Sequence, residues 1–453
     1  MYREFSNDSE APVSRFEQML KTNQVYFFDA SEFEYIIQYY IDSGEVNLAK
    51  KALHLATKQH PFHTEILLLK SELLIFDGKF QEAQNVLDAI EEIEPSHQEI
   101  YIQKATIHSK KREHKKSIAL LQKSLELTDD PVEIWCLLAM EYLVMEDFEQ
   151  AKYYFKRCIE EDPFDYQVLY NLLYCYEFLK LHHEALETLN KVIESNPYNE
   201  IAWLEIGKQY LTLGKEKEAL SAFDFAIISE DHFTGAYFEK GKLLEKLGRY
   251  NEAIENYEIT LRLEDPTSFA YLRIAKCHEM LGNDMLVVQY LNKTVHEDPS
   301  NEKGWLAFID YYWTNGQLEK ALYYAQKALQ INEHNLNYWK RNARIHKALE
   351  KYAEAEIAYQ NTIELGNYEL SIWQEWLDTL IFLNEWEKVC QIGFQAKEFY
   401  PEELSIDFKI GGAYGRMGKR TEMEYFKKAL CEAKEELPMD LLSYFPELKG
   451  VLD

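Results

Sequence analysis

Residues 200–233 read EIAWLEIGKQYLTLGKEKEALSAFDFAIISEDHF, and their apolar positions follow a helical spacing twice over, with a break between. Ile201, Leu204, Tyr210 and Leu211 mark a first helix that ends near Gly214. Ala219, Leu220, Phe223, Ala226 and Ile227 mark a second, closed before His232. The stretch is a helical hairpin, and the same residue types recur in register on either side of it. From Ala30 to residue 437 the chain divides into twelve consecutive 34-residue repeats without insertion or deletion, starting at 30, 64, 98, 132, 166, 200, 234, 268, 302, 336, 370 and 404. Position four is Phe33, Leu67, Tyr101, Trp135, Leu169, Trp203, Tyr237, Tyr271, Trp305, Trp339 and Trp373, and only the last repeat departs, with Asp407. Position twenty is small throughout the column Ala49, Ala83, Ser117, Ala151, Ala185, Ala219, Ala253, Val287, Ala321, Ala355 and Val389, so helices approach closely there. Ala56 opens a further column of the same kind at position twenty-seven.

The punctuation between helices is equally regular. Gly44, Gly78, Gly214, Gly248, Gly282, Gly316 and Gly418 stand at position fifteen, where a left-handed backbone after a helix costs glycine least. Arg112, Glu146, Lys180, Glu350 and Asn384 take that place elsewhere. Pro61, Pro95, Pro163, Pro197, Pro299 and Pro401 at position thirty-two stop the second helix, and Asp165, Asn199, Thr267, Asn301 and Asn335 can cap the next one.

A chain of 453 residues would ordinarily suggest about three domains, but a repeat array grows its core linearly and makes one elongated solenoid the better reading. Apolar residues at 47 % exclude disorder, and charged residues at 28 % with both signs interspersed describe a well-solvated surface. The formal charge is −29, and each flank of the repeats carries two excess acids, so nearly all of the imbalance is spread along the repeats. So acidic a surface repels phosphate backbones and disfavours nucleic acid as partner. The six cysteines lack CxxC or zinc-ligand spacing and read as buried thiols of a reducing compartment. With no leader pattern at the start and no apolar run of membrane-spanning length, a cytoplasmic protein is expected.

Trp203, Ile206, Gly207, Tyr210, Ala219, Phe223 and Ala226 carry a family resemblance: residues 30–437 resemble a tetratricopeptide repeat array, whose pattern is W-x2-L-G-x2-Y, then A-x3-F, then P. Here the proline is replaced by Asp231. The RNA-reading pentatricopeptide relatives have a 35-residue period and basic faces, and neither is seen. The resemblance implies an all-α fold, a right-handed α-α superhelix with first helices lining a concave groove and second helices outside, that holds protein partners. Residues 1–29 and 438–453 are expected to cap its ends: Val13 to Leu20 as a short helix, Val25, Tyr26, Phe27 and Phe28 packed on the first repeat, and Met439, Leu441, Leu442, Tyr444 and Phe445 sealing the last.

Catalysis needs convergent groups that break the repeat, and no such break is present, so no enzyme and no cofactor are expected. Acid runs such as Glu91-Glu92 and Glu160-Glu161-Asp162 fall at the ends of second helices and read as solvated face. His108, His278 and His346 occupy position eleven, a tyrosine position in six other repeats, and read as core substitutes. His182-His183, with His54, His60 and His63, lack helical ligand spacing, so no metal is expected. Gly411, Gly412, Gly415 and Gly418 lie in a first-helix pattern without the strand or Lys-Ser/Thr of a phosphate loop, and predict a weakened or bent last repeat.

What the resemblance leaves for function is the groove, to which first-helix positions two, five, nine, twelve and thirteen contribute. Position nine carries Lys208, Lys242 and Lys276 in succession, then Arg344 after an interruption at Asp310; Lys303, Lys340 and Lys347 join them, with Arg273 and Arg341 nearby. Lysines on helices 8–10 Å apart suit an extended peptide that offers a carboxylate about every third residue, so an acidic segment is the expected ligand there. It differs from the carboxylate clamp of chaperone-binding members, whose triplet is absent. Earlier in the chain Met140, Val144, Tyr170, Tyr174 and Phe178, beside Cys136 and Ile102, form an apolar groove patch suited to anchoring a helix or strand, or else pad neighbouring helices. The expectation is a non-catalytic protein-binding adapter or scaffold; self-association and service as an enzyme's regulatory subunit are the alternatives.

Overall fold

The computed structural model describes residues 11–22, 25–263, 267–433 and Phe445. Among them every regular element is an α-helix: Ala11–Thr22, and then twelve pairs. Each first helix has thirteen residues, and the starts at Ala30, Thr64, Gln98, Val132, Tyr166, Glu200, Thr234, Ser268, Glu302, Leu336, Leu370 and Leu404 follow the 34-residue period of the sequence. Second helices have fourteen residues, except His114–Leu125 and Tyr352–Glu364, which are shorter. No helix is long and apolar enough to cross a membrane.

The turn inside each hairpin is one motif repeated twelve times. Position fifteen is left-handed in every repeat, at φ 68–75° for the seven glycines and 58–61° for Arg112, Glu146, Lys180, Glu350 and Asn384. The next N–H then reaches back to the position-eleven carbonyl, as in Lys215 N to Tyr210 O at 2.8 Å and Glu113 N to His108 O at 2.9 Å. This satisfies carbonyls that the end of the first helix would leave unpaired. The small columns explain why the two helices can then pack so closely. Every member of the position-twenty column from Ala49 to Val389 is buried, and so are Ala56, Ser124, Cys158, Ala226, Thr294, Ala328 and Ala396 at position twenty-seven.

Between repeats, the side chains of Asp165, Asn199, Thr267, Asn301 and Asn335 accept N–H bonds from the first turn of the next helix. The position-four aromatics tie down the same loop: Trp203, Trp305 and Trp339 donate Nε1–H to the carbonyls of Pro197, Pro299 and Glu333 at 2.7–2.9 Å, and the Tyr101 hydroxyl donates to that of Pro95. Trp135 and Trp373, whose indole N–H is buried without an acceptor, are the two that follow the shortened second helices. A loop that leaves its helix early no longer offers a carbonyl at that spot.

The chain forms two compact parts, one ending at Ala219 and one beginning at Leu220. In the first, Ala11–Thr22 packs Val13, Phe16 and Met19 onto repeat one, with Phe16 6.2 Å from Phe28 and 6.0 Å from Tyr40. The segment after it alternates, which corrects the expectation that all four residues pack: Phe28 is buried while Val25 and Phe27 face solvent. Gln59 fastens this segment at both ends, donating to the Tyr26 carbonyl and accepting from the Phe28 N–H. In the second part the helix Leu404–Arg416 runs unbroken through Gly411 and Gly412. Phe445 is buried against it, with Phe408 and Trp386 each 6.1 Å away. Met439, Leu441, Leu442 and Tyr444 lie outside the described residues.

Candidate functional site

In the first part, the helices Val132–Val144 and Tyr166–Phe178 are apolar on two faces rather than one. One face supplies Trp135, Leu138, Leu169 and Leu172 to the core. The other leaves Met140, Val144, Tyr170, Tyr174 and Phe178 between 43 and 60 % exposed. Phe178 is partly engaged, since its ring stacks at 3.9 Å on buried Phe148, the first residue of the preceding repeat's second helix. Tyr352 and Phe382 make the same stack in repeats ten and eleven, which identifies it as inter-repeat packing. Met140, Tyr170 and Tyr174 are less committed: Met140 Sδ takes a long 3.6 Å contact from Asn171, and Tyr174 lies edge-on to Phe148 at 6.0 Å. Burial, and then the Glu205 carboxylate, hold the Tyr170 hydroxyl above its ordinary range, while Lys208 acts in the opposite sense. Lys208 therefore stands over the same surface, its Nζ 2.7 Å from Glu205 Oε1.

In the second part, the expected cations divide into two groups. Lys276 and Lys303 are exposed and meet no carboxylate at ion-pair distance among the described residues. Lys242 pairs with Glu239 one turn away on its own helix, at 2.9 Å. The others are engaged by acids at the N-cap of the next repeat's first helix or within that helix. Lys340 meets Glu369 at 2.5 Å, Arg344 forks onto both oxygens of Glu375 at 2.9 Å, and Lys347 meets Asp378 at 3.2 Å. Asp378 also takes the buried Lys409 at 2.6 Å. Arg341 forks back onto Asp310, and Arg273 reaches Glu245. Each bidentate pair supplies direction as well as charge. Lys340 holds the Glu369 carboxyl below its ordinary range, while burial lowers Lys409 despite Asp378. These repeats present alternating charge, not a uniform positive field.

One feature of this face is absent from the sequence reading. Trp313 at position twelve, 38 % exposed, borders a cavity of about 400 Å³ with Asp310, Arg341 and Arg344. A tryptophan in a column of groove positions was the available signal.

The histidines serve structure. His278 and His346 are buried, and burial lowers their affinity for a proton. His108 pairs with Glu113, His60 with the Phe28 carbonyl, His63 with Glu34 and His182 with Gln209. Among the described residues the carboxylate and imidazole groups close enough to share an ion are Glu230, Asp231 and His232, all exposed on a loop. Glu91 of the acid runs is tied to Lys104. What this surface offers chemically is apolar area and ion pairs, the means by which protein surfaces dock.

Residues 98–131, 132–165, 166–199 and 234–258 match the family model described as tetratricopeptide repeat. No curated relative matches. Among solved structures, the chain is similar to a tetratricopeptide repeat protein from Parabacteroides merdae ATCC 43184, at 19 % identity over 55 % of this chain and 98 % of that one, with a TM-score of 0.39. It is similar also to the APC/C hetero-tetramer Cut9-Hcn1, at 14 % identity over 90 % and 93 % with a TM-score of 0.35. A third is Naa15/Naa10 bound to HypK-THB, at 14 % identity over 93 % and 78 % with a TM-score of 0.35. Four stretches of the chain, all within the repeats read from the sequence, thus match the tetratricopeptide repeat.

Proposed function

We propose that this tetratricopeptide repeat protein is a non-catalytic adapter that holds a partner protein or peptide against the exposed face of its first helices. The observation that carries the reading is the patch of Met140, Val144, Tyr170 and Tyr174, apolar surface that the repeat leaves about half exposed. Tyrosine buries much area with little loss of conformational freedom and methionine adapts to an irregular surface, so a few such residues dominate an interface. The anchor is an apolar segment of the partner, a helix or a strand. Lys208 beside Tyr170 receives a carboxylate next to that anchor.

In the second part an acidic segment of a partner falls to Lys276 and Lys303, with Lys242, Lys340, Arg344 and Lys347 joining only by exchanging the carboxylates they already hold. Such exchange gains little net energy, so these four set specificity more than affinity.

The test compares partner capture from lysate by the full chain and by a Tyr170→Ala/Tyr174→Ala variant, read by mass spectrometry. Captured proteins should drop out with the variant while helicity and melting temperature stay unchanged. Equal capture by both would remove the apolar anchor, and a Lys208→Ala/Lys242→Ala/Lys276→Ala variant examines the acidic segment in the same way. Self-association is the second reading, since an apolar face serves a second copy equally well. Concentration-dependent light scattering that disappears in the tyrosine variant would favour it over the adapter.

A further inference from the structure

Cys136 lies on the first helix of repeat four, Val132–Val144, and Cys158 on its second, Phe148–Glu161. Their sulfur atoms are 3.1 Å apart, the closeness of a hydrogen-bonded thiol pair. The two differ in access. Cys158 is buried in the position-twenty-seven column, its Sγ also 3.7 Å from the Val132 carbonyl, whereas Cys136 is half-buried. Cys136 stands one helical turn before Met140, on the face that the apolar patch occupies. The hairpin around the pair is held firmly: Tyr142 and Tyr154 stack nearly parallel at 5.8 Å, and Ala151 is fully buried between the helices.

We propose that Cys136 and Cys158 are a peroxide-reactive dithiol, in which Cys136 is oxidised first and Cys158 resolves it to a disulfide that ties together the two helices of repeat four. The geometry requires little of the fold. A disulfide draws the sulfurs to about 2.0 Å, so a contraction of about 1 Å by side-chain rotation completes the bond.

The chemistry balances with hydrogen peroxide as oxidant. The Cys136 sulfur, having released its proton, attacks one peroxide oxygen and the O–O bond breaks. The departing hydroxide takes up that proton as water, and Cys136 is left as a sulfenic acid. The Cys158 sulfur then attacks the Cys136 sulfur and the S–O bond breaks. The second hydroxide leaves with the Cys158 proton as a second water. Two thiols lose two electrons, and one peroxide becomes two waters.

The protonation pattern agrees with this division of roles. The hydrogen bond shared with Cys158 holds the Cys136 thiol below its ordinary range, while the same bond and burial push Cys158 well above its own. Glu133 and Asp165 work against the Cys136 thiolate, and burial does so too, yet the hydrogen bond outweighs them. The group that water reaches is thus also the one that ionises more readily, as a first nucleophile requires. Cys175, Cys277 and Cys390 are buried, and burial raises each of them.

The test uses the full chain and needs no knowledge of its partner. Folded protein is treated with hydrogen peroxide, quenched, blocked at free thiols and digested without reductant. The expected product is a peptide pair joining Cys136 to Cys158, with the loss of two hydrogens, reversed by a reductant. Trypsin leaves Cys158 and Cys175 on one peptide, so a Cys175→Ser variant must retain the cross-link and a Cys158→Ser variant must lose it. In the latter, Cys136 should stop as a sulfenic acid that a dimedone-type probe traps. Oxidation should also raise the melting temperature of the wild-type chain, and reduction should restore it, because the bond closes a loop in the unfolded state. Cys136 carried to sulfinic acid without a cross-link in folded wild type overturns the proposal. So does an unreacted Cys136, or a cross-link that persists in Cys158→Ser.

Discussion

The ring of Phe445 occupies the space in which a Cβ on Gly412 would stand. A glycine in the middle of a helix sacrifices about 1 kcal/mol against alanine, and here the vacated volume is filled by a buried aromatic ring. Gly412→Ala should therefore destabilise the final repeats by about 1–3 kcal/mol despite its better helix propensity. Phe445→Ala should lose about 3 kcal/mol or more through the cavity it leaves. The two changes act on one contact, so adding Gly412→Ala to Phe445→Ala should be neutral or stabilising. Chemical denaturation, with hydrogen exchange read over Leu404–Arg416, measures this, and simple additivity of the two losses would disprove the socket.

Arg112, Glu146, Lys180 and Glu350 adopt the left-handed backbone that glycine takes in the other repeats. For such residues that conformation costs about 1–2 kcal/mol. Replacement by glycine releases this strain and gives back about 0.4–1 kcal/mol through the freer unfolded chain. Each substitution should gain about 0.5 kcal/mol net, and the four should add, because they sit in turns with no shared partner. Asn384→Gly should gain least, since asparagine tolerates this region. Urea midpoints of the single and fourfold variants decide the matter.

His278 stacks on Tyr290 at 5.5 Å, in the place where Tyr142 stacks on Tyr154 and Tyr312 on Tyr324. Burial lowers its pKa below the ordinary 6.5, with Glu258 opposing. As pH falls, the unfolded chain takes this proton first. The stability contributed by neutral His278 is therefore complete above pH 6.5 and is lost as pH drops through the folded value. His278→Tyr keeps the stack and removes the titration. Its advantage in melting temperature over wild type should widen from about pH 7 to about pH 5. A constant difference across that range would mean that the imidazole takes up its proton equally in the folded and unfolded states.

The hairpins, their left-handed turns and their small columns were legible because each is fixed within one 34-residue period. Gly214 ends a first helix and Ala219 admits its neighbour whatever the other repeats contain. The side chains that leave the repeat were harder to read. Gly412 looked like a weakness because its partner, Phe445, stands 33 residues away and belongs to no column. The apolar patch was visible as residues without a stacking role, yet the stack of Phe178 on Phe148 joins position thirteen to position seventeen of the preceding repeat. Single-column reading does not see such a diagonal. The same limit applies to the cations. Position nine was read downward as Lys208, Lys242, Lys276 and Arg344, whereas the carboxylate facing Arg344 comes from Glu375, at position six of the next repeat.

Arg344 and Lys276 occupy one column, and their different surroundings make opposite predictions. The Arg344 guanidinium forks onto Glu375, whose second oxygen also accepts the buried Tyr359 hydroxyl at 3.1 Å. Arg344→Ala leaves that half-buried carboxylate with the phenol alone, and should lower stability by about 1–2 kcal/mol. Arg344→Lys should recover only part of it, because an ammonium cannot reproduce the fork. Lys276→Ala and Lys303→Ala remove exposed charges without a described partner, and should change stability by less than about 0.5 kcal/mol. Binding of an acidic partner reverses the order: Lys276 and Lys303 have nothing to give up, so their loss should slow association and flatten its salt dependence. Denaturation midpoints and association rates at two salt concentrations separate the two columns of effect. If Lys276→Ala unfolds the chain as readily as Arg344→Ala, the lysine is a structural residue and the acidic segment of the partner has no free cation to meet.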